Sequence, residues 1–181
     1  PLLAGHGGAS QTAKATPESK LLEALTSATE QVFGMMMSTE VAVLEAAAAA
    51  GAATRTTVGT IELYGYAEKK SLTLVFSCAQ SCVVAMATRM LMMDEAEAAQ
   101  HLELAKSTLA ETLNMLGGRI NHSLEEESRS FLLGLPRVEE MSGGEEPKPG
   151  ASICRADFAA GDRIQFAVEI FSRELTVTKV A

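Results

Sequence analysis

Residues 56–78, TTVGTIELYGYAEKKSLTLVFSC, form two runs of alternating apolar and polar side chains joined around YAEKKS. Period-two alternation through β-branched and aromatic residues marks strands with one buried face. The segment therefore predicts an antiparallel hairpin of about 56–66 with 70–77. A second hairpin is expected in ICRADFAAGDRIQFAVEIFS, turning at AAGD and followed by a short tail.

Helical spacing fills much of what remains. In ESKLLEALTSATEQVFGMMM, Leu21, Leu22, Leu25, Ala28, Val32, Met35 and Met36 recur at helical intervals and predict a first amphipathic helix. TEVAVLE then reads as a short strand, and the alanine-rich run after it fits either a helical turn or a loop. Behind the first hairpin, SCAQSCVVAMATRMLMM predicts a helix with Val83, Ala87, Met90 and Leu91 inward. Acidic DEAEAAQHLE leads into a long helix of roughly 98–127. SFLLGLPRV follows as a strand, and EEMSGGEEPKPGAS as a turn-rich, mobile loop. Hairpins set beside long helices, without strict strand–helix alternation, predict an α+β fold. The helices would gather on one face of a mainly antiparallel sheet.

The chain has 181 residues, 47% of them hydrophobic, which suits one domain with a sizeable core. Residues 1–17 read as a flexible lead-in and 18–181 as the single domain. A formal charge of −8 and a pI near 4.9 disfavour a nucleic-acid partner, since no basic patch overrides the field. The longest apolar runs fall short of the roughly 20 residues a membrane span needs. Three cysteines are an odd number and argue against a disulfide framework. The chain begins at Pro1 without a signal-peptide pattern. A soluble, cytoplasmic protein is expected.

The long helix holds the most informative stretch, LAETLNMLGGRINHSL, residues 109–124. At about 100° per residue, Leu109, Leu113, Leu116, Ile120 and Leu124 form one buried stripe. Ser107, Glu111, Asn114 and Gly118 project from the other side on successive turns. Solvation explains such residues on an arbitrary helix. Here, however, paired glycines in the helix interior cost on the order of 1–2 kcal/mol relative to alanines. Gly117, toward the packed side, would let a neighbouring element come close. Gly118 would leave the outer face flat beside Asn114. Leu104 and Met115 also lie off the core stripe, making the outer face partly apolar, as a docking surface would be.

AETLNMLGGRIN resembles the E-x-x-N-M-x-x-G signature of the CheC/CheX/FliY chemotaxis phosphatases, and its single occurrence near mid-chain is similar to the CheX branch. GTIELYGYAEKKSLTLVFS resembles that family's sheet hairpin, AMATRMLMM its following helix, and FLLGLPRV the strand after the signature helix. The resemblance implies a pseudo-duplicated fold and hydrolysis of the aspartyl phosphate of a CheY-like response regulator. The catalytic residues would be Glu111 and Asn114, and the partner-docking residues Ser107, Met115 and Gly118. It implies no cofactor or metal in this chain, with a divalent metal on the partner receiver, and a homodimer joined through the sheet. A carboxamide both donates to and accepts from water, so Asn114 suits orienting a water in line with the phosphorus. Glu111 can accept the water's proton or pair with the receiver's lysine; the resemblance implies the pairing. The alternative is a non-catalytic module docking on a receiver or a flagellar switch component. Aligning TEQVFGMMMSTEV with AETLNMLGGRINH sets Glu30 opposite Glu111 and Phe33 opposite Asn114, so one active face is expected, with Phe33 in core or interface.

Other groups read as structural. Cys78 and Cys82 fit two small buried residues near a helix start. His101, Glu103 and His122 lack metal-ligand spacing and fit a solvated surface. The acidic runs at 125–127 and 139–140 fit solvated faces. GHGG at 5–8 lacks the strand–turn–helix setting of a phosphate loop.

Overall fold

A computed structural model describes residues 16–45, 56–126, 130–141 and 146–175. The order is α1 (Pro17–Met37), β1 (Val41–Val43), β2 (Thr57–Gly65), β3 (Lys70–Cys78), α2 (Gln80–Leu91), α3 (Glu95–Gln100), α4 (Leu102–Glu126), β4 (Leu132–Leu133), β5 (Arg137–Glu140), β6 (Ala151–Ala160) and β7 (Ile164–Glu174). The strands form one antiparallel sheet in the order β1-β6-β7-β3-β2-β4, with β5 also paired to β2. The expected α+β class and both hairpins are present. The order helix, short strand or strands, long hairpin occurs twice. Each half lends its short strand to the other half's hairpin: β1 pairs with β6, and β4 and β5 pair with β2. The two halves are thereby interlocked.

Thr16 starts α1 by accepting the Ser19 N–H at 3.2 Å, with Pro17 at the first turn where its missing N–H costs nothing. Pro17, placed by sequence in the lead-in, is thus helical. The buried side comprises Leu21, Leu25, Ala28, Thr29, Val32, Phe33 and Met37. Leu22 and Met35, expected in that stripe, are exposed, and Met36 is half-buried. Phe33 turns the stripe: its ring stacks on Phe166 at 4.7 Å, and Phe166 also stacks on Phe76 at 4.5 Å. A phenylalanine ring carries a large apolar area, so the arc that includes Phe33 is the one laid on the sheet.

In α2, Val83 and Ala87 face inward as expected. Leu91 is exposed instead, because the helix closes at Met92 in the left-handed conformation, φ 54°, and the chain turns away. The single long helix expected over 98–127 is two. Asp94 caps an earlier start by accepting the Glu97 N–H at 2.8 Å, and α3 stops at His101, whose φ of −107° and ψ of 55° break the helical path. The strand expected in SFLLGLPRV is also divided. Gly134 donates its N–H to the Glu62 carbonyl at 2.7 Å, and Pro136, lacking an N–H, separates β4 from β5.

The helices cover one sheet face, and the main core lies between them and the inward residues Ile61, Leu63, Leu74, Phe76, Phe166 and Val168. On the other face Val58, Val75 and Phe171 form a small cluster with Met141. Glu146 crosses this face, accepting from Ser77 Oγ and Arg155 Nη1, each at 2.8 Å. Of the stretch expected as a mobile loop, 139–152, the described parts are tied to the sheet. Its start belongs to β5, its end to β6, and Glu146 is anchored between them. Burial opposes the charge on Arg155, yet the hydrogen bonds it donates to Glu146 and Asp157 hold its guanidinium above the usual range. The GHGG stretch, the alanine run, Glu127 and the final tail lie outside the described residues.

Candidate functional site

The outward face of α4 exists because its inner face sits low on the sheet. Leu109, Leu113, Leu116 and Ile120 are fully buried, and Leu124 nearly so. Gly59 of β2 has no Cβ to meet Leu113, so the helix descends onto the strand. Ala105, Thr108 and Thr112, absent from the sequence-derived stripe, are also buried. The two threonines satisfy their hydroxyls within the helix, Thr112 donating to the Thr108 carbonyl at 2.8 Å and Thr108 to that of Ala105 at 2.7 Å. Internal satisfaction is what lets them join a core face.

With that side fixed, Ser107, Glu111 and Gly118 are exposed and Asn114 is half-buried, all along one outward row. Three residues of helical rise set Asn114 about 4.5 Å along the axis from Glu111. Among the described residues neither Glu111 nor Asn114 has a hydrogen-bond partner, so the carboxylate and the carboxamide are both available to a ligand. Ser107 instead donates to the Glu103 carbonyl at 2.9 Å. The paired glycines have separate reasons. A Cβ on buried Gly117 would lie 2.7 Å from Leu133 Cδ1 and 3.4 Å from Ile61 Cδ1, whereas one on Gly118 would meet nothing within 4 Å. Gly117 thus admits β4, and Gly118 leaves bare backbone beside Asn114. Leu104 is 46% exposed, and Met115 is half-buried against the core.

Three further contacts frame this face. Asn121 binds both backbone groups of Phe131, its Nδ2 donating to the carbonyl at 3.0 Å and its Oδ1 accepting from the N–H at 3.3 Å. Lys106 bridges Glu103 and Glu140, each at 2.9 Å, tying the start of α4 to β5. The hydrogen bonds that the Lys106 ammonium donates to Glu103 and Glu140 raise it above the ordinary lysine range. Arg119 reaches from α4 to the Met35 sulfur of α1 at 3.5 Å. Sequence reasoning missed Lys106 and Asn121, because a single polar residue at a helix flank carries no periodic signal.

Phe33 is fully buried, in line with a core role. Its expected alignment with Asn114 does not fit the burial pattern. Leu21, Leu25, Ala28, Thr29, Val32 and Phe33 of α1 match Ala105, Leu109, Thr112, Leu113, Leu116 and Gly117 of α4, all buried. In that register Glu30 stands opposite Asn114, and Gly34, exposed with open space around it, stands opposite Gly118. Burial decides the register because each helix must lay the same arc on the sheet.

The remaining groups are scattered. Cys78 and Cys82 are buried. Burial pushes the Cys154 thiol up to about 11, with the Glu169 carboxylate adding to it. His101, Glu103 and His122 are exposed, and no group of three or more His, Cys, Asp or Glu side chains among the described residues could hold a metal. Nor is any helix among them long and apolar enough to cross a membrane.

The interlocked halves and the helix-covered antiparallel sheet define a CheC/CheX-like fold. Among similar solved structures, the chemotaxis protein CheX from Vibrio vulnificus superposes with a TM-score of 0.67 at 15% identity, over 88% of this chain and 100% of that one. The CheX of the CheX–CheY–BeF3–Mg complex from Borrelia burgdorferi gives 0.66 at 16% identity, over 85% and 98%. Thermotoga maritima FliY gives 0.56 at 14% identity, over 87% and 91%. At such identities the likeness is one of fold. No family model and no curated protein matches the sequence.

Proposed function

We propose that this chain is a chemotaxis-type phosphatase that binds a CheY-like response regulator and hydrolyses its aspartyl phosphate. The observation that carries the reading is the outward row of α4, where a carboxylate and a carboxamide with no side-chain partner among the described residues stand one turn apart on a helix locked to the sheet. The Borrelia burgdorferi structure, in which a protein of this fold is complexed with CheY, BeF3 and Mg, supports the choice of partner.

In this reading water attacks phosphorus as the bond from phosphorus to the aspartyl oxygen breaks, releasing phosphate and the free carboxylate. Asn114 holds the water on the attacking line by donating to it and accepting from it, which removes orientational freedom before the step. Glu111 pairs with the receiver's lysine and sets the docking register. Ser107, Met115 and Gly118 belong to the docking surface. The divalent metal is the receiver's, and this chain supplies none. The test is the decay rate of phosphorylated CheY-type receivers of the same organism with and without this chain. Acceleration supports the phosphatase, whereas binding without acceleration would leave the non-catalytic docking module.

The reading includes a cytoplasmic homodimer joined through the sheet, a contact that the inner hairpin strands leave to an edge strand. β2, β3, β6 and β7 lie inside the sheet. Of the two edges among the described residues, one is the two-residue β4 with β5, whose Arg137, Glu139 and Glu140 are charges that discourage pairing, while the other is β1, Val41, Ala42 and Val43. The dimer is therefore proposed along β1, and a monomer mass by sedimentation at micromolar concentration would contradict it.

A further inference from the structure

The segment from Phe131 to Glu140 is fixed against α4 at three places. Asn121 holds Phe131, Gly117 receives Leu133, and Lys106 holds Glu140. Positions rise along the segment as they fall along the helix, so it runs antiparallel to α4 along one flank. Interpolating between the contacts at Leu133 and Glu140 sets Leu135 level with the turn that bears Glu111 and Asn114.

Leu135 is 86% exposed, yet it is not on a loose tip. The Gly134 N–H is bound to the Glu62 carbonyl, Pro136 restricts the backbone after it, and β5 pairs with β2 from Arg137 opposite Thr60 onward. A leucine presented on so short a bridge loses little freedom when it is covered. On the other flank of the same outward row stand Leu104 and Met115. Apolar side chains therefore bracket the polar pair on two sides, the arrangement that excludes bulk water around a buried contact.

We infer that Leu135 is an apolar anchor for the phosphorylated receiver, taking an apolar side chain on the rim of the receiver's phosphorylation pocket. The inference rests on the proposed function. Its occupant follows from continuity, since a partner seated on Glu111 and Asn114 also covers the adjoining bridge. Leu135 does not touch the reacting atoms, so it governs how tightly the receiver docks and leaves the chemical step alone.

The test compares Leu135→Ala and Leu135→Asp with Leu132→Ala in the full chain. Leu132 is 62% exposed, but its cross-strand partner is Tyr64, so it lies on the sheet face away from α4, while Leu133 faces Gly117. Affinity is titrated against CheY-type receivers of the same organism loaded with beryllofluoride and Mg2+, beside steady-state dephosphorylation. Leu135→Ala is expected to weaken binding about tenfold and Leu135→Asp further, with the maximal rate within about twofold. Leu132→Ala should change neither. Unchanged affinity of folded Leu135→Asp for a receiver that the wild type binds overturns the inference. So does an altered association state with receiver affinity intact, which would assign Leu135 to contact with a second copy. If the wild type binds loaded receivers without dephosphorylating them, only the catalytic reading falls and the affinity comparison still decides Leu135. If it binds none, both fall.

Discussion

Asn121 closes a two-point clasp on Phe131, donating to its carbonyl at 3.0 Å and accepting from its N–H at 3.3 Å. The carboxamide thereby replaces a strand partner for one residue and joins the end of α4 to the start of β4. Asn121→Ala leaves both Phe131 groups without these bonds, and Asn121→Asp loses the donor to the carbonyl. Each substitution should lower stability by about 1–3 kcal/mol. Urea denaturation with an unchanged slope would measure it, and amide exchange should quicken at Phe131 and Leu133 before it does at β3.

Gly118→Ala is expected to make the protein more stable, by about 0.5–1 kcal/mol, because a methyl group there meets nothing and alanine favours helix. On the proposed reading the same methyl intrudes on the docked receiver, so affinity should fall as the melting temperature rises. A fall in both would instead point to a structural role for the glycine.

Asn114→Ala should preserve the fold, since no described residue depends on that side chain for a hydrogen bond. It should reduce the maximal rate of dephosphorylation by about 10²-fold. A folded variant with full activity would remove Asn114 from the mechanism.

Glu111→Gln separates tether from base. A tether loses a charge pair, so half-saturation by phosphorylated receiver should rise, with a smaller change in maximal rate. Were Glu111 the base, the maximal rate would collapse at an unchanged half-saturation point. The first pattern is expected.

The outward row of α4 was legible in the sequence because a 3.6-residue period assigns faces without knowledge of what packs against them. Leu109, Leu113 and Leu116 set the inner arc, and Ser107, Glu111, Asn114 and Gly118 then had to face away. The hairpins were legible for the equivalent reason at period two. The break at His101 was not, because it depends on Asp94 capping a short helix against a longer continuous one, a choice tertiary packing makes. The division of β4 from β5 and the clasp at Asn121 depend on which strand lies alongside α4. Alternation within a strand does not say what its neighbour is. The register between α1 and α4 failed for a related reason: matching Glu30 with Glu111 compared letters, whereas burial compares arcs on the sheet.

Phe33 and Gly117 occupy corresponding turns in that corrected register, and they use the space beneath the helix in opposite ways. The Phe33 ring fills it by stacking on Phe166, while Gly117 gives it up to Leu133. In α1 the position matching Asn114 is held by Glu30, so the half that seals its helix with an aromatic ring also lacks the carboxamide. The structural repeat therefore does not double the capacity of the molecule. On the proposed reading, a calorimetric titration should saturate at one receiver per chain, and a dimer should carry two receivers on separate chains.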